Sequence, residues 1–163
     1  MPRVPPTAYV DDAAVVIGDV IIGEHSSVWP CAVVRGDDNY IRIGSETNIQ
    51  DNCVLHVESE LYGLEVGDRV TVGHNVVLHG CRIGSECLIA MGAIVLNNVQ
   101  IGEGSVIAAG TVVPEHTVIP PGSLCMGIPA TVRRNATEKD RERILRGAAS
   151  YVRLKEIYLR ERK

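Results

Sequence analysis

Phenylalanine is missing from this 163-residue chain and tryptophan occurs once. A core without large rings has to be filled by Val, Ile, Leu and Ala, which favours thin, regular packing over an aromatic cluster. No apolar run approaches the roughly 20 residues that cross a bilayer. The opening Met1-Pro2-Arg3-Val4-Pro5-Pro6 has no signal-peptide core, so no membrane role is expected. An excess of positive charge is lacking too. The formal net charge is −4, which leaves no electrostatic footprint for nucleic acid or an anionic membrane surface. The cysteines (Cys31, Cys53, Cys81, Cys87 and Cys125) are odd in number and form no CxxC pair. They predict reduced, mostly buried thiols and a cytoplasmic protein. One domain with one core is expected at this length.

What the chain does have is a period. Val10, Val16, Ile22, Val28, Val34 and Tyr40 fall six apart; Ile43, Ile49 and Leu55 follow after a slip. Val66, Val72 and Leu78 come next, and Ile83, Ile89, Val95, Ile101, Ile107, Val113 and Ile119 then run without a break. Small residues such as Gly44, Gly67 and Ala90 follow the anchors, and Cys81, Cys87, Ala93, Val99, Ser105 and Thr111 stand two places before them. The pattern predicts short strands that each point one large apolar side chain inward, with tight turns between and coils stacked at about 4.8 Å. Periodicity fixes neither the number of faces nor the handedness.

The run resembles the hexapeptide repeat of left-handed parallel β-helices, triangular prisms with three hexapeptides per coil. Grouped accordingly, the anchors are 10-16-22, 28-34-40, 43-49-55, 66-72-78, 83-89-95 and 101-107-113, with Ile119 opening a partial coil. The surplus from His56 to Glu65 is a loop containing Glu58 and Glu60. The repeat fails at Pro120-Pro121-Gly122. Thr137, followed by Glu138 and Asp140, predicts a helix N-cap. The helix should run to about Arg162, with Ile144, Leu145, Ala148, Tyr151, Val152 and Leu159 as its apolar stripe. Expected, then, is an all-β solenoid over residues 1–134 and a helix within 135–163 packed on it as one structural domain.

In that grouping Leu55 and Leu78 are third anchors of consecutive coils, so His56 and His79 stack about 4.8 Å apart in backbone. Zinc–nitrogen bonds are about 2.0–2.1 Å, so the two imidazoles can share an ion. His74 lies two places past Val72, a second anchor. Five extended residues span about 16 Å, which makes it awkward for His74 to reach the same ion within one chain. A neighbouring copy under closed cyclic symmetry could supply the third imidazole and leave an open position for water. Arg35 and Gln50 each follow a second anchor and Asp51 lies one rung from His74, so all three are expected at the same edge. His25 and His116 read as solvated, Trp29 and Cys81 as packing.

Trp29-Pro30, Val34-Arg35-Gly36-Asp37, Asn48-Ile49-Gln50-Asp51-Asn52-Cys53-Val54-Leu55-His56, Gly73-His74-Asn75 and Leu78-His79-Gly80-Cys81 together resemble the γ-class carbonic anhydrase family over nearly the whole chain. The resemblance implies a homotrimer with metal between subunits, held by His56, His74 and His79. The metal would be zinc, with iron(II) or cobalt(II) as options. It implies hydration of carbon dioxide to bicarbonate by metal-bound hydroxide. Gln50 would orient water or substrate, Arg35 and Asp37 would tie the interface, and Asp51 would support the pocket. Tyr151 resembles a helical Tyr that some members place near the metal. The departure is the loop after His56: Glu58 and Glu60 stand where better-characterised members carry a longer acidic loop with a proton-shuttling glutamate, so turnover is expected to be slow, or absent without another proton relay. Two other functions fit the same site, hydrolysis of an acyl-CoA thioester or ester, and a non-catalytic trimeric scaffold stapled by metal.

Overall fold

With one exception, the residues of the six-residue period point into the coil of the computed structural model, which describes residues 1–161. Parallel pairing stacks Val10, Val28, Ile49, Val72, Ile89, Ile107 and Cys125 on a first face. Val16, Val34, Leu55, Leu78, Val95 and Val113 stack on a second. Ile22, Ile43, Val66, Ile83, Ile101 and Ile119 stack on a third. The result is a left-handed parallel β-helix of about 6 turns with one C-terminal helix. Cys81, Cys87, Ala93, Val99, Ser105 and Thr111 fill the space between the ladders and are buried. Where the third face ends, glycines stack: a Cβ on Gly44 would lie 2.5 Å from the carbonyl carbon of Gly67, so no other residue fits that corner without backbone movement.

The exception is Tyr40, and it corrects the grouping. The third-face anchor of the second coil is Ile43, nine positions after Val34. In the strand Val33–Ile43, Gly36 pairs with Gly18 but Ile41 pairs with Val20, so five steps on one strand oppose two on the other. This bulge holds Asp37, Asp38, Asn39 and Tyr40 outside the regular register. Tyr40 stays half-buried and its hydroxyl donates to Glu65 at 2.9 Å. Ile41 and Ile43, two apart on an extended strand, both point inward. Coils therefore begin at Val10, Val28, Ile49, Val72, Ile89 and Ile107. Leu55 and Leu78 are second-face residues, Val72 is a first-face residue, and Cys125, not Ile119, opens the partial coil.

The three outer surfaces differ. The helix Glu138–Glu161 covers the first, packing on the strands Tyr9–Val10, Ser27–Val28, Asn48–Ile49 and Thr71–Val72. Tyr9, Trp29, Tyr151 and Tyr158 meet there, with ring centroids 5.2 to 5.6 Å apart. The second carries an outward ladder of β-branched residues: Val15, Val33, Val54, Val77, Ile94 and Val112. The third is charged, with Arg42 paired to Asp19 and Arg82 to Glu65. Thr137 caps the helix as expected: its hydroxyl accepts the Asp140 N–H at 3.3 Å, and the Asp140 carboxylate accepts the Thr137 N–H at 2.8 Å. Ile144 and Ala148 of the expected stripe are buried, but Leu145 is exposed and Lys155 is buried. Arg162, the expected helix end, lies outside the described residues. No described helix is long and apolar enough to cross a membrane.

Candidate metal centre

His56 and His79 each follow a second-face anchor and pair in register, so the parallel ladder sets their rings side by side. His56 Nδ1 lies 3.1 Å from His79 Nε2. The other nitrogen of each ring meets an oxygen acceptor: His79 Nδ1 lies 2.6 Å from Asn97 Oδ1, and His56 Nε2 lies 3.2 Å from Asp37 Oδ1. With a hydrogen donated outward from each neutral ring, the two lone pairs face one another. That arrangement is repulsive by itself and is relieved by a cation between them. Two ligands on a tetrahedral ion with bonds of 2.0–2.1 Å would be separated by about 3.3 Å, close to the observed spacing. The donor set therefore fits a metal, with outer hydrogen bonds fixing each ligand.

The bulge in Val33–Ile43 brings Asp37 and Asp38 to His56. Arg35 holds the second Asp37 oxygen at 2.5 Å, and that guanidinium keeps the Asp37 carboxyl at about 2, with His56 adding to the effect. Ligand atoms of Asp37, Asp38 and His56 lie within 4.8 Å of one another. Because Arg35 and His56 occupy both Asp37 oxygens, this trio surrounds His56 rather than forming a separate cage.

The remaining predicted residues gather at a different corner. His74 Nδ1 lies 2.9 Å from Asp51 Oδ2. Gln50 is buried and donates to Asn48 Oδ1 at 3.0 Å, and Asn48 donates on to Thr71 at 3.0 Å. Tyr151 reaches the same region from the helix and packs edge-on against Trp29. Burial pushes its hydroxyl up, and the Asp51 charge adds to the shift. Gln50, Asp51, His74 and Tyr151 thus share the corner between first and second faces. Arg35, Asp37, His56 and His79 share the corner between second and third. The expectation that Arg35, Gln50 and Asp51 occupy one edge is corrected: Val34 is a second-face anchor and Ile49 a first-face anchor.

Of the loop acids, Glu58 turns inward and accepts from Asn97 Nδ2 at 3.0 Å, while Glu60 is exposed at the tip. Sequence reasoning missed Asp38, Asn97 and Glu115. Asn97 and Glu115 stand two places past the second-face anchors Val95 and Val113, whereas the histidines stand one place past theirs, so carrying the histidine ladder further leads to Leu96 and Pro114 and passes them by. Trp29 and Cys81 are buried, and burial pushes the Cys81 thiol to about 12. His25 and His116 are exposed, the latter accepting from Asn98 at 3.0 Å.

The profile of the bacterial transferase hexapeptide (six repeats) family matches residues 80–115. A Methanocaldococcus jannaschii protein named "Probable carbonic anhydrase" is 54% identical over 88% of this chain and 89% of its own length. A Geobacillus kaustophilus protein named "Carbonic anhydrase" is 45% identical over 96% and 86%. A Bacillus cereus crystal structure shares 42% identity and superposes with a TM-score of 0.95, covering 97% of this chain and 91% of that one.

Proposed function

Since the chain belongs to the γ-class carbonic anhydrase family, we propose that it is a metal-dependent lyase hydrating carbon dioxide to bicarbonate, with its metal held between subunits of a homotrimer. The observation that carries the proposal is the facing pair of imidazole nitrogens 3.1 Å apart, each ring fixed from behind by an oxygen acceptor. Zinc is the first choice for a neutral imidazole set, with iron(II) or cobalt(II) able to use the same donors. When bound, such an ion polarises a water so that it ionises near neutral pH.

The two groups of site residues stand at opposite edges of the second face, and the apolar ladder from Val15 to Val112 lies between them. A closed threefold ring would cover that ladder with a second copy and bring one protomer's His56 and His79 against the partner subunit's His74. Asp51, taking the His74 Nδ1–H, leaves Nε2 of that ring for the ion. Asp37 does the same service for His56, and Arg35 holds Asp37 in place. Gln50, buried and fixed by Asn48, offers the rest of its amide to orient water or substrate. Tyr151 closes the first-face side of the pocket. The buried, protonated thiols of Cys53, Cys81 and Cys87 go with a cytoplasmic location.

Stopped-flow hydration of carbon dioxide by metal-loaded protein tests the proposal. Turnover should be abolished in His74→Ala and His79→Ala; rates equal to those of the variants would overturn it.

A further inference from the structure

We infer that Asn97 is a positioning residue: its amide holds His79 in the tautomer that leaves Nε2 free for a metal, and ties the loop after His56 to that ligand. The inference rests on the metal reading above.

Three hydrogen bonds determine how the amide points. Its oxygen lies 2.6 Å from His79 Nδ1, and its nitrogen donates to Glu58 Oε2 at 3.0 Å and Glu115 Oε1 at 3.1 Å. Carboxylates only accept, so a flipped amide would set its oxygen against two negative groups and its N–H against the ring. The oxygen is therefore held toward His79, and His79 Nδ1 carries the hydrogen. The carboxylates come from separate parts of the chain. Glu115 belongs to the next coil, two places past Val113. Glu58 belongs to the loop, where it exchanges backbone hydrogen bonds with Tyr62 at 3.0 and 3.3 Å. Its carbonyl also accepts from Asn39 of the bulge at 3.3 Å. Asn97 thus joins a coil, the loop and a ligand through one side chain. The residue after His79 leaves space for it: a Cβ on Gly80 would fall 2.7 Å from Asn97 Oδ1 and 3.0 Å from Tyr62 Cβ.

Full-length wild type, His79→Ala, Asn97→Ala and Asn97→Asp are stripped of metal and titrated with zinc against a chromophoric chelator. The cobalt(II) absorption spectrum and the melting temperature of the metal-free protein are recorded alongside. Asn97→Ala should weaken zinc binding about 10–100-fold and alter the cobalt spectrum. Asn97→Asp keeps an oxygen acceptor at His79 and should restore affinity close to wild type. It crowds Glu58 and Glu115 with a third carboxylate, so proteolysis of the loop between residues 57 and 63 should quicken. Unchanged affinity in Asn97→Ala overturns the inference, as does an equal loss in both variants that follows the melting temperature. His79→Ala binding zinc like wild type would instead remove the metal reading, and the inference with it.

Discussion

His56 and His79 are backed by acceptors of different charge, an ion-paired carboxylate for one and a neutral amide for the other. An anionic acceptor raises the basicity of the ring more than a neutral one. Asp37→Asn should therefore lower zinc affinity about 10-fold while leaving the fold intact, measurable by the same chelator competition with circular dichroism as the control. Arg35→Ala should have a smaller effect, because Asp37 keeps its bond to His56. At this scale the histidines could be picked out from the sequence: Leu55-His56 and Leu78-His79 repeat a pattern that a solvated corner has no reason to repeat. Their supporting acceptors could not be read from the register, although the motif around Asp37 marks it for the interface. Asp37 sits in a bulge that hides its register, and Asn97 looks like one more polar corner residue until the ring it faces is known.

Among the elements, the bulge in Val33–Ile43 misled the periodic reading for a physical reason. Three extra residues delay the third face, yet Tyr40 falls six places after Val34 and is apolar enough to pass for an anchor. Every later coil then counts one face out of phase, although the stacking of Leu55 on Leu78 survives because both shift together. The helix start was plainer, since Thr137 and Asp140 satisfy each other's backbone N–H groups. Thr137→Ala should lower stability by about 1 kcal/mol, read from the denaturant midpoint. Arg134 first, then the Thr137 backbone and hydroxyl, hold the Asp140 carboxyl well below its ordinary 3.8. A depressed folded value means that the charge of Asp140 stabilises the fold above the ordinary carboxylate range, and that the benefit is lost as pH falls below 3.8 toward the folded value. Asp140→Asn should accordingly be less stable than wild type at pH 7, with the gap narrowing on acidification below pH 4 in urea titrations. A gap that does not change with pH would remove the charge from the explanation.

For the molecule as a whole, the inward ladders were readable because a thin coil admits one large aliphatic side chain per strand. Handedness and face number follow only from the resemblance, and the outward ladder is hidden in the sequence because the period concerns what points in. That ladder gives the assembly its clearest mutational handle. Val54→Asp with Val77→Asp places two carboxylates in the middle of the second face without touching the core or a histidine. The double variant should sediment as a monomer with native circular dichroism, and its zinc affinity should fall because the partner subunit's His74 no longer arrives. A variant that stays trimeric would mean the copies meet through another face.

The central claim, that two chains complete one metal site, is tested most directly by mixing defects. His74→Ala and His79→Ala subunits, each unable to hold zinc as pure trimers, are unfolded together at equal concentration, refolded with zinc and assayed for bound metal and carbon dioxide hydration. A shared site predicts recovery at about a quarter of the interfaces, those pairing an intact His56 and His79 with an intact His74. A site contained within one chain predicts none, and the absence of recovery in properly assembled mixed trimers would contradict the account.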